Sequence, residues 1–519
     1  MSQSFQGSTQ LNASRRNRDL AGLRTHGAAG KEIDVLVVGL GVTGAGVALD
    51  AASRGLSVVA VDAHDFAFGT SRWSSKLVHG GLRYLAKGQV GVAHESAVER
   101  GILMTTTAPH LVRTLTTYVP LGPGMSKPQA ALARTGFLLG DALRLGARTP
   151  RSVLPRPRRI RREKALSLCP AVKPDGLRGA LLGYDGQLVD DARLVTAIVR
   201  TAAGHGATIL NHTKALDVTG TSATLRDELT GEEYAVRARV VINAAGVWAG
   251  HVVPGLRLKP SRGTHLVLRG ESIPGLTVAI TAPVPGESNR FVFALPQADG
   301  LVYVGLTDEE VDGDIPDVPQ GSDTEIEFLL DVINRVLAKP VSRADIVGTY
   351  AGLRPLLEAD GHTADLSRKH AVLTSETGVV TVVGGKLTTY RRMAEDAVDA
   401  AVKHAGISAG PCVTATLPLV GAGAAGGPER LVRRYGSEAE EIVAEAVALT
   451  GHSEETVLAP VAPGVPITLA ELLWGATHEG AVTVDDLLDR RTRLGLVPVD
   501  RAAAEKAAET ALGYAVGSR

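Results

Sequence analysis

The chain has 519 residues, and its 55 basic and 55 acidic side chains cancel, so no global charge draws it to nucleic acid. It is 44% hydrophobic with 59 glycines, the composition of a turn-rich globular protein of two or three domains. Cys169 and Cys412 lack CxxC partners and neighbouring histidines, which argues against a metal site or a disulfide framework and for a reducing compartment.

Residues 1–32 are polar and mixed, with Arg15, Arg16, Arg18, Asp19 and Arg24, and lack an apolar signal core. They read as a disordered tail. No run of about 18 apolar residues occurs, so no membrane-spanning helix is expected.

Ordered structure is expected from Ile33. Ile33–Val38 is a branched apolar run suited to a buried parallel strand. Gly39, Gly41 and Gly44 follow as GxGxxG, Thr43–Arg54 reads as a helix, and Leu56–Val61 is a second buried strand ending in Asp62. Gly39 permits the tight turn, Gly41 lets backbone approach a pyrophosphate, and Gly44 lets helix pack on sheet. The helix N-terminus faces phosphates, and Asp62 can accept from a ribose diol.

From Phe66 to His94 there is no acidic residue, and this stretch contains "SSKLVHGGLRYL", Ser74–Leu85. A classical NAD domain would continue with regular strand–helix units. Here a long insertion follows, and the buried-strand pattern returns at "ARVVINAAGVWAG" (Ala238–Gly250), with Ala245 and Gly246, and at "GVVTVVGGKLTTYRRMAEDAVDAAVKH" (Gly378–His404). A cofactor met by three distant segments is long and buried, which favours FAD over NAD. Between these returns, "THLVL" alternates like a strand around His265. On the residues alone a satisfied strand histidine is a better reading of His265 than a catalytic one.

Within the insertion, Ala130–Arg162 mixes Leu132, Phe137, Leu138, Leu139, Leu143 and Leu145 with Arg134, Arg144 and Arg148, and arginines continue to Arg162. Such a segment either lies on an anionic membrane surface or packs on the protein's own core with a solvated basic loop. After the "GAGAAGGP" linker, apolar spacings of three and four predict helices.

"SSKLVHGGLRYL", "YAGLRPL" (Tyr350–Leu356) and "GGKLTTYRRMAE" (Gly384–Glu395) together resemble the FAD-dependent glycerol-3-phosphate dehydrogenases, in the flavoprotein group that includes D-amino-acid oxidase. The likeness runs from about Ile33 into the C-terminal region, where "LPLVGAG" and "TVDDLLDRRTRLGL" (Thr483–Leu496) are similar to that family's helical domain. Two departures, GLG for the common GGG and Asp62 for glutamate, keep the required chemistry. The resemblance implies an α/β fold with three parts. A Rossmann-like FAD-binding domain would be assembled from about 33–87, 185–255 and 347–405. An antiparallel-sheet substrate cap would come from about 88–184 and 256–346, the two together spanning 33–411. A helical domain would cover 412–519.

The implied reaction is oxidation of sn-glycerol 3-phosphate to dihydroxyacetone phosphate, with hydride passing from C2 to flavin N5 and electrons onward to a membrane quinone. His265 would be the base, Arg354 the phosphate anchor and Lys386 the stabiliser of negative charge at the flavin. Arg354, between Gly352 and Pro355, is expected in a turn. Arg83, Tyr84, Arg368 and Arg290 would line the substrate pocket. FAD contacts would come from Gly39, Gly41, Gly44, Asp62, Thr70, Ser71, Ser75, Lys76, Leu77, His79, Gly80, Gly81, Ala245, Gly246, Gly385, Lys386, Leu387 and Thr388. The expected location is cytoplasmic, peripheral on the inner face of the membrane, with a homodimer as a candidate assembly and no nucleic-acid partner. Alternatives are a glycerol-3-phosphate oxidase using oxygen, an enzyme acting on an amino or hydroxy acid, and a non-catalytic flavin-binding membrane-associated protein.

Overall fold

The structure, a computed structural model, describes residues 7–81, 88–123, 125–287, 290–358 and 369–517. Two sheets organise these residues. The first centres on β1 (Glu32–Val38), whose parallel neighbours are β2 (Val58–Val61) and β10 (Glu233–Asn243). β7 (Thr208–Leu210) extends it beyond β2, and β18 (Val380–Val383) and β17 (Ala371–Thr374) beyond β10. β8 (Thr213–Leu216) and β9 (Ser222–Asp227) form an antiparallel flap on β10.

Helices α2 (Val42–Ser53), α5 (Asp191–Gly204) and α7 (Tyr390–Ala405) bury small side chains in the same core, among them Ala45, Ala48, Ala197 and Ala397. Small residues here bring helix close to strand. A Cβ on Gly44 would fall 1.8 Å from the Gly39 carbonyl oxygen, so no other residue fits.

The second sheet lies across the carboxyl ends of the first. Its path begins with β15 (Glu309–Glu310), β11 (Ser261–Arg269), β14 (Leu301–Gly305) and β13 (Phe291–Pro296). It continues through β12 (Ala279–Pro283), β4 (Val112–Pro120), β6 (Ala180–Leu188) and β3 (Leu77–Val78). β16 (Ile346–Arg354) also pairs with β11, and β5 (Arg158–Ile160) with β6. The β12–β4 pairing is parallel and the other pairings of this sheet are antiparallel, as expected of a largely antiparallel cap. β3 and β16 were expected in the flavin-binding segments. They pair into this second sheet instead, which stitches the two domains together.

The N-terminal expectation is corrected. Residues 13–28 form helix α1 (Ala13–Ala28), capped by the Asn12 side chain accepting from Arg15 N at 2.9 Å. Leu20 and Leu23 are buried against Leu225, Val236 and Val241, and Arg16 is buried in a 2.7 Å pair with Asp227. The arginines looked solvated in sequence because Asp227 lies more than 200 positions away.

The C-terminal domain is helical, with α8 (Glu429–Tyr435), α9 (Ala439–Thr450), α10 (Leu469–Thr477) and α11 (Pro498–Gly517) around buried Trp474 and Leu472, and it carries a small hairpin of Pro460–Ala462 with Val465–Thr468. It docks through buried ion pairs. Arg491 clasps Asp65 with both terminal nitrogens at 2.6 and 2.9 Å, Arg490 reaches Asp65 and Asp486 at 2.6 Å, and Arg193 holds Glu479 at 2.7 Å. His212 joins this cluster at 3.1 Å from Asp486. Asp65, His212 and Asp486 approach as metal ligands would, but Arg490, Arg491 and Asn211 take the carboxylate oxygens.

Helix α4 (Lys127–Gly146) begins with a capping box between Ser126 and Gln129. Phe137 packs with Val119 and Leu181, but Leu132, Leu138, Leu139 and Leu145 are each about half exposed. Arg144 departs from the expected basic face. It is buried, bonded to Asp141 and to the Thr149 carbonyl, each at 2.7 Å. Among the described residues no helix is long and apolar enough to cross a membrane.

Candidate active site

A cavity of about 1430 Å³ runs between the sheets. Ordinary ligand pockets hold roughly 300–1,000 Å³, so this one takes a dinucleotide and leaves space beyond it.

One end is the nucleotide turn. Gly39 has φ +99°, and a Cβ there would stand 2.7 Å from the Ala244 carbonyl oxygen. A Cβ on Gly41 would stand 3.1 Å from Ser71 Oγ, which accepts from Val42 N at 2.8 Å and caps α2 from a neighbouring loop. Asp62 accepts from Leu40 N at 2.7 Å and His64 N at 2.9 Å. Burial nevertheless pushes its carboxyl up, against the pull of those bonds. Ala245, Gly246 and Trp248 close this end, with His64 stacked on Phe68 at 3.8 Å.

The other end draws on the first and last of the three expected segments. Thr70, Ser71, Ser75, Leu77 and His79 line it, as do Gly385, Lys386, Leu387 and Thr388. The Thr70 hydroxyl donates to the Leu353 carbonyl at 2.6 Å, and Thr388 Oγ1 accepts from His79 N at 3.3 Å. Lys386 precedes a short 3₁₀ turn rather than opening the long helix, and its ammonium donates to Ser96 Oγ on α3 (Val90–Ile102).

Besides Gly44, which packs against the Gly39 carbonyl, three expected contacts fall elsewhere. Lys76 is fully buried and paired with Asp191 at 2.7 Å, and burial pushes its ammonium down despite that partner. Gly80 packs on Arg100 and donates to Asp185 at 2.9 Å, and Gly81 donates to His79 Nδ1 at 3.2 Å; neither lines the cavity. Arg83, Tyr84 and Arg368 lie outside the described residues.

His265 comes from β11, at 1% exposure. Its ring stacks on Tyr350 (4.6 Å, 9°), and its Nε2 stands 2.8 Å from Ser75 Oγ. Nδ1 has no hydrogen-bond partner among the described residues. Burial, then the charges of Lys76 and Arg354, push the imidazole well below its ordinary value, so it is neutral. Arg354 closes strand β16 rather than sitting in a turn, as the following proline's preference for extended backbone allows. Its Nη1 reaches Ser261 Oγ at 3.0 Å and Asp308 Oδ1 at 3.2 Å, and its Nη2 the Thr307 carbonyl at 3.3 Å. Arg290 stands at the cavity edge, paired with Glu287 at 3.2 Å and lying over Phe328.

Sequence reasoning missed Trp73, Trp248, Asp191, Ser261 and Asp308, whose places depend on long-range strand pairing. It also missed an apolar wing of the cavity formed by Leu115, Val119, Leu132, Phe137, Phe291 and Phe293.

Residues 34–391 match the family described as "FAD dependent oxidoreductase", and residues 412–514 the "C-terminal domain of alpha-glycerophosphate oxidase". The protein is 56% identical over 508 residues to "Glycerol-3-phosphate dehydrogenase 1" of Mycobacterium tuberculosis, covering 95% of this chain and 96% of that one. The chain belongs to the glycerol-3-phosphate dehydrogenase family of FAD-dependent oxidoreductases. This family also includes the mouse mitochondrial enzyme, 36% identical over 91% of this chain and 68% of that one. A solved structure of the Bacillus halodurans glycerol-3-phosphate dehydrogenase complexed with FAD superimposes with a TM-score of 0.71 at 25% identity, covering 98% and 96% of the two chains. The L-alpha-glycerophosphate oxidase of Mycoplasma pneumoniae shares the fold at TM-score 0.56 and 17% identity, over 75% and 99%.

FAD is the cofactor, and the residues present fit it. The Gly39–Gly41 cradle is space that a Cβ would fill, and the Asp62 carboxylate lines the cavity beside it.

Proposed function

We propose that the protein oxidises sn-glycerol 3-phosphate at C2 to dihydroxyacetone phosphate and passes the electrons to a membrane quinone at the cytoplasmic face. The observation that carries this reading is a neutral, buried His265 with one unengaged ring nitrogen beside the Arg354 guanidinium, in the cavity that begins at the nucleotide turn. His265 takes the C2 hydroxyl proton through its imidazole once substrate approaches. Ser75 holds the other nitrogen and so fixes the ring's orientation. Arg354 holds the phosphate, with its plane braced by Ser261 and Asp308. Lys386 adds positive charge near the site. FAD, when bound, supplies the two-electron acceptor for the hydrogen leaving C2.

A quinone acceptor is favoured over oxygen by the apolar wing, which reaches α4 at Leu132 and Leu139. These leucines are about half exposed, and Arg148, Arg151, Arg156, Arg158, Arg159, Arg161 and Arg162 follow on the surface. An exposed apolar stripe with clustered arginines suits an anionic lipid surface, from which a quinone would enter.

The test is anaerobic addition of sn-glycerol 3-phosphate to the purified flavoprotein. Loss of the oxidised-flavin absorbance, then its recovery with a soluble quinone faster than with air, is expected. A flavin that stays oxidised refutes the substrate. Faster recovery in air, with stoichiometric peroxide, favours the oxidase.

A further inference from the structure

Strands β11 and β16 place the two proposed site residues on one face of the second sheet. Their register pairs Ser261 with Arg354, Gly263 with Gly352 and His265 with Tyr350. Residues two apart on a strand, and their cross-strand partners, share a face. That face therefore carries the arginine, then two bare positions, then the imidazole.

Arg354 leans back along this face. A Cβ built on Gly263 would stand 2.4 Å from Arg354 Nη2 and 3.0 Å from its Cζ, so the guanidinium occupies the volume that a side chain at 263 would take. Ser261 Oγ and the Thr307 carbonyl hold it there at 3.0 and 3.3 Å. The positive group thus lies over the position two residues from His265, a spacing of roughly 6.6 Å along a strand.

We propose that Gly263 is a specificity-determining position: its missing side chain lets Arg354 lie toward His265, and that spacing selects a short alcohol whose oxidised carbon stands a few bonds from its phosphate. This rests on the reading of Arg354 and His265 given above. The guanidinium is the far end of a flexible side chain, so a methyl group at 263 moves it aside without disturbing the strand. Gly305 differs. A Cβ there would stand 2.2 Å from His265 Cδ2, and that ring is fixed between Tyr350 and Ser75 and cannot yield.

The experiment is steady-state kinetics on FAD-loaded Gly263→Ala, Ser261→Ala and Arg354→Ala, with flavin content measured on each. Gly263→Ala is expected to raise KM for sn-glycerol 3-phosphate about tenfold or more, with kcat within about threefold, the pattern of lost binding common to ground and transition states. Combined with Arg354→Ala it should add little, because both remove the same interaction. An unchanged KM in Gly263→Ala, where Arg354→Ala alone raises it, overturns the proposal. An unchanged KM in Arg354→Ala overturns the phosphate assignment itself. Should Gly263→Ala fail to hold FAD, Ser261→Ala decides. It adds no bulk and removes one brace, so KM should rise severalfold at constant kcat, and an unmoved KM counts against positioning of the guanidinium.

Discussion

Ser75 Oγ stands 2.8 Å from His265 Nε2, and this contact joins the acid-free segment to the second sheet across 190 positions of chain. It fixes one nitrogen of a ring that Tyr350 already holds by stacking, while Nδ1 has no hydrogen-bond partner among the described residues. Replacing His265 with alanine should lower the rate of anaerobic flavin bleaching by about 10²–10⁴-fold with flavin content retained. Ser75→Ala should cost less, on the order of tenfold, because the stacking survives. Bleaching at the parent rate in His265→Ala would place the base elsewhere.

The buried environment sets the pH response. A base works only when neutral, and burial with the charges of Lys76 and Arg354 keeps His265 neutral well below 6.5. The bleaching rate at saturating substrate should therefore stay level as pH falls through 6.5, and decline only in more acidic solution. An inflection at 6.5 that disappears in His265→Asn would contradict this.

The C-terminal domain depends on Asp65. Against burial, Arg491 and Arg490 hold this carboxyl far below the usual range. Arg491→Ala leaves a buried carboxylate short of its bidentate partner and should destabilise the protein by about 3–5 kcal/mol. A thermal melt should show this shift, and no shift would mean the cluster is dispensable.

His212 gives that junction a pH signature. Burial opposes its charge, but the hydrogen bond and charge of Asp486 outweigh it and raise the imidazole above 6.5. Protonated His212 thus stabilises the fold fully below 6.5, and the contribution is lost as pH rises through the raised value. Melting temperature should fall across this window in the parent and fall less in His212→Gln. Equal slopes would remove His212 from the account.

The α4 surface predicts salt-sensitive binding to anionic vesicles. Reversing Arg158, Arg159, Arg161 and Arg162 to glutamate, or Leu138 and Leu145 to glutamate, should release the protein without changing turnover with a soluble acceptor. Binding indifferent to salt and to both sets of changes would reject a lipid-facing α4.

The nucleotide half was legible because its signals are local. Gly39, Gly41, Gly44 and Asp62 are read within one strand–turn–helix–strand unit, and the structure places Gly39, Gly41 and Asp62 at the cavity and Gly44 against the Gly39 carbonyl. The substrate half depends on pairings across the chain. Nothing near Arg354 announces that Ser261 braces it, and nothing near Lys76 announces Asp191. A lysine among neighbours expected to face FAD reads as a cofactor contact until its distant carboxylate is seen. Helix α1 was missed for the same reason, since Asp227 neutralises Arg16 from another element.

The Asp65 clasp also has a consequence in time. Asp65 lies three residues after Asp62, on the loop that borders the adenosine end of the cavity, while its partners Arg490 and Arg491 are 425 and 426 residues further along the chain. During synthesis that loop carries an acid without its charge partners until Arg490 and Arg491 have been made. The wall beside the nucleotide turn is therefore completed only once the C-terminal domain has been made, and a chain cut short of Arg490 would keep the turn's own hydrogen bonds but leave Asp65 without either arginine.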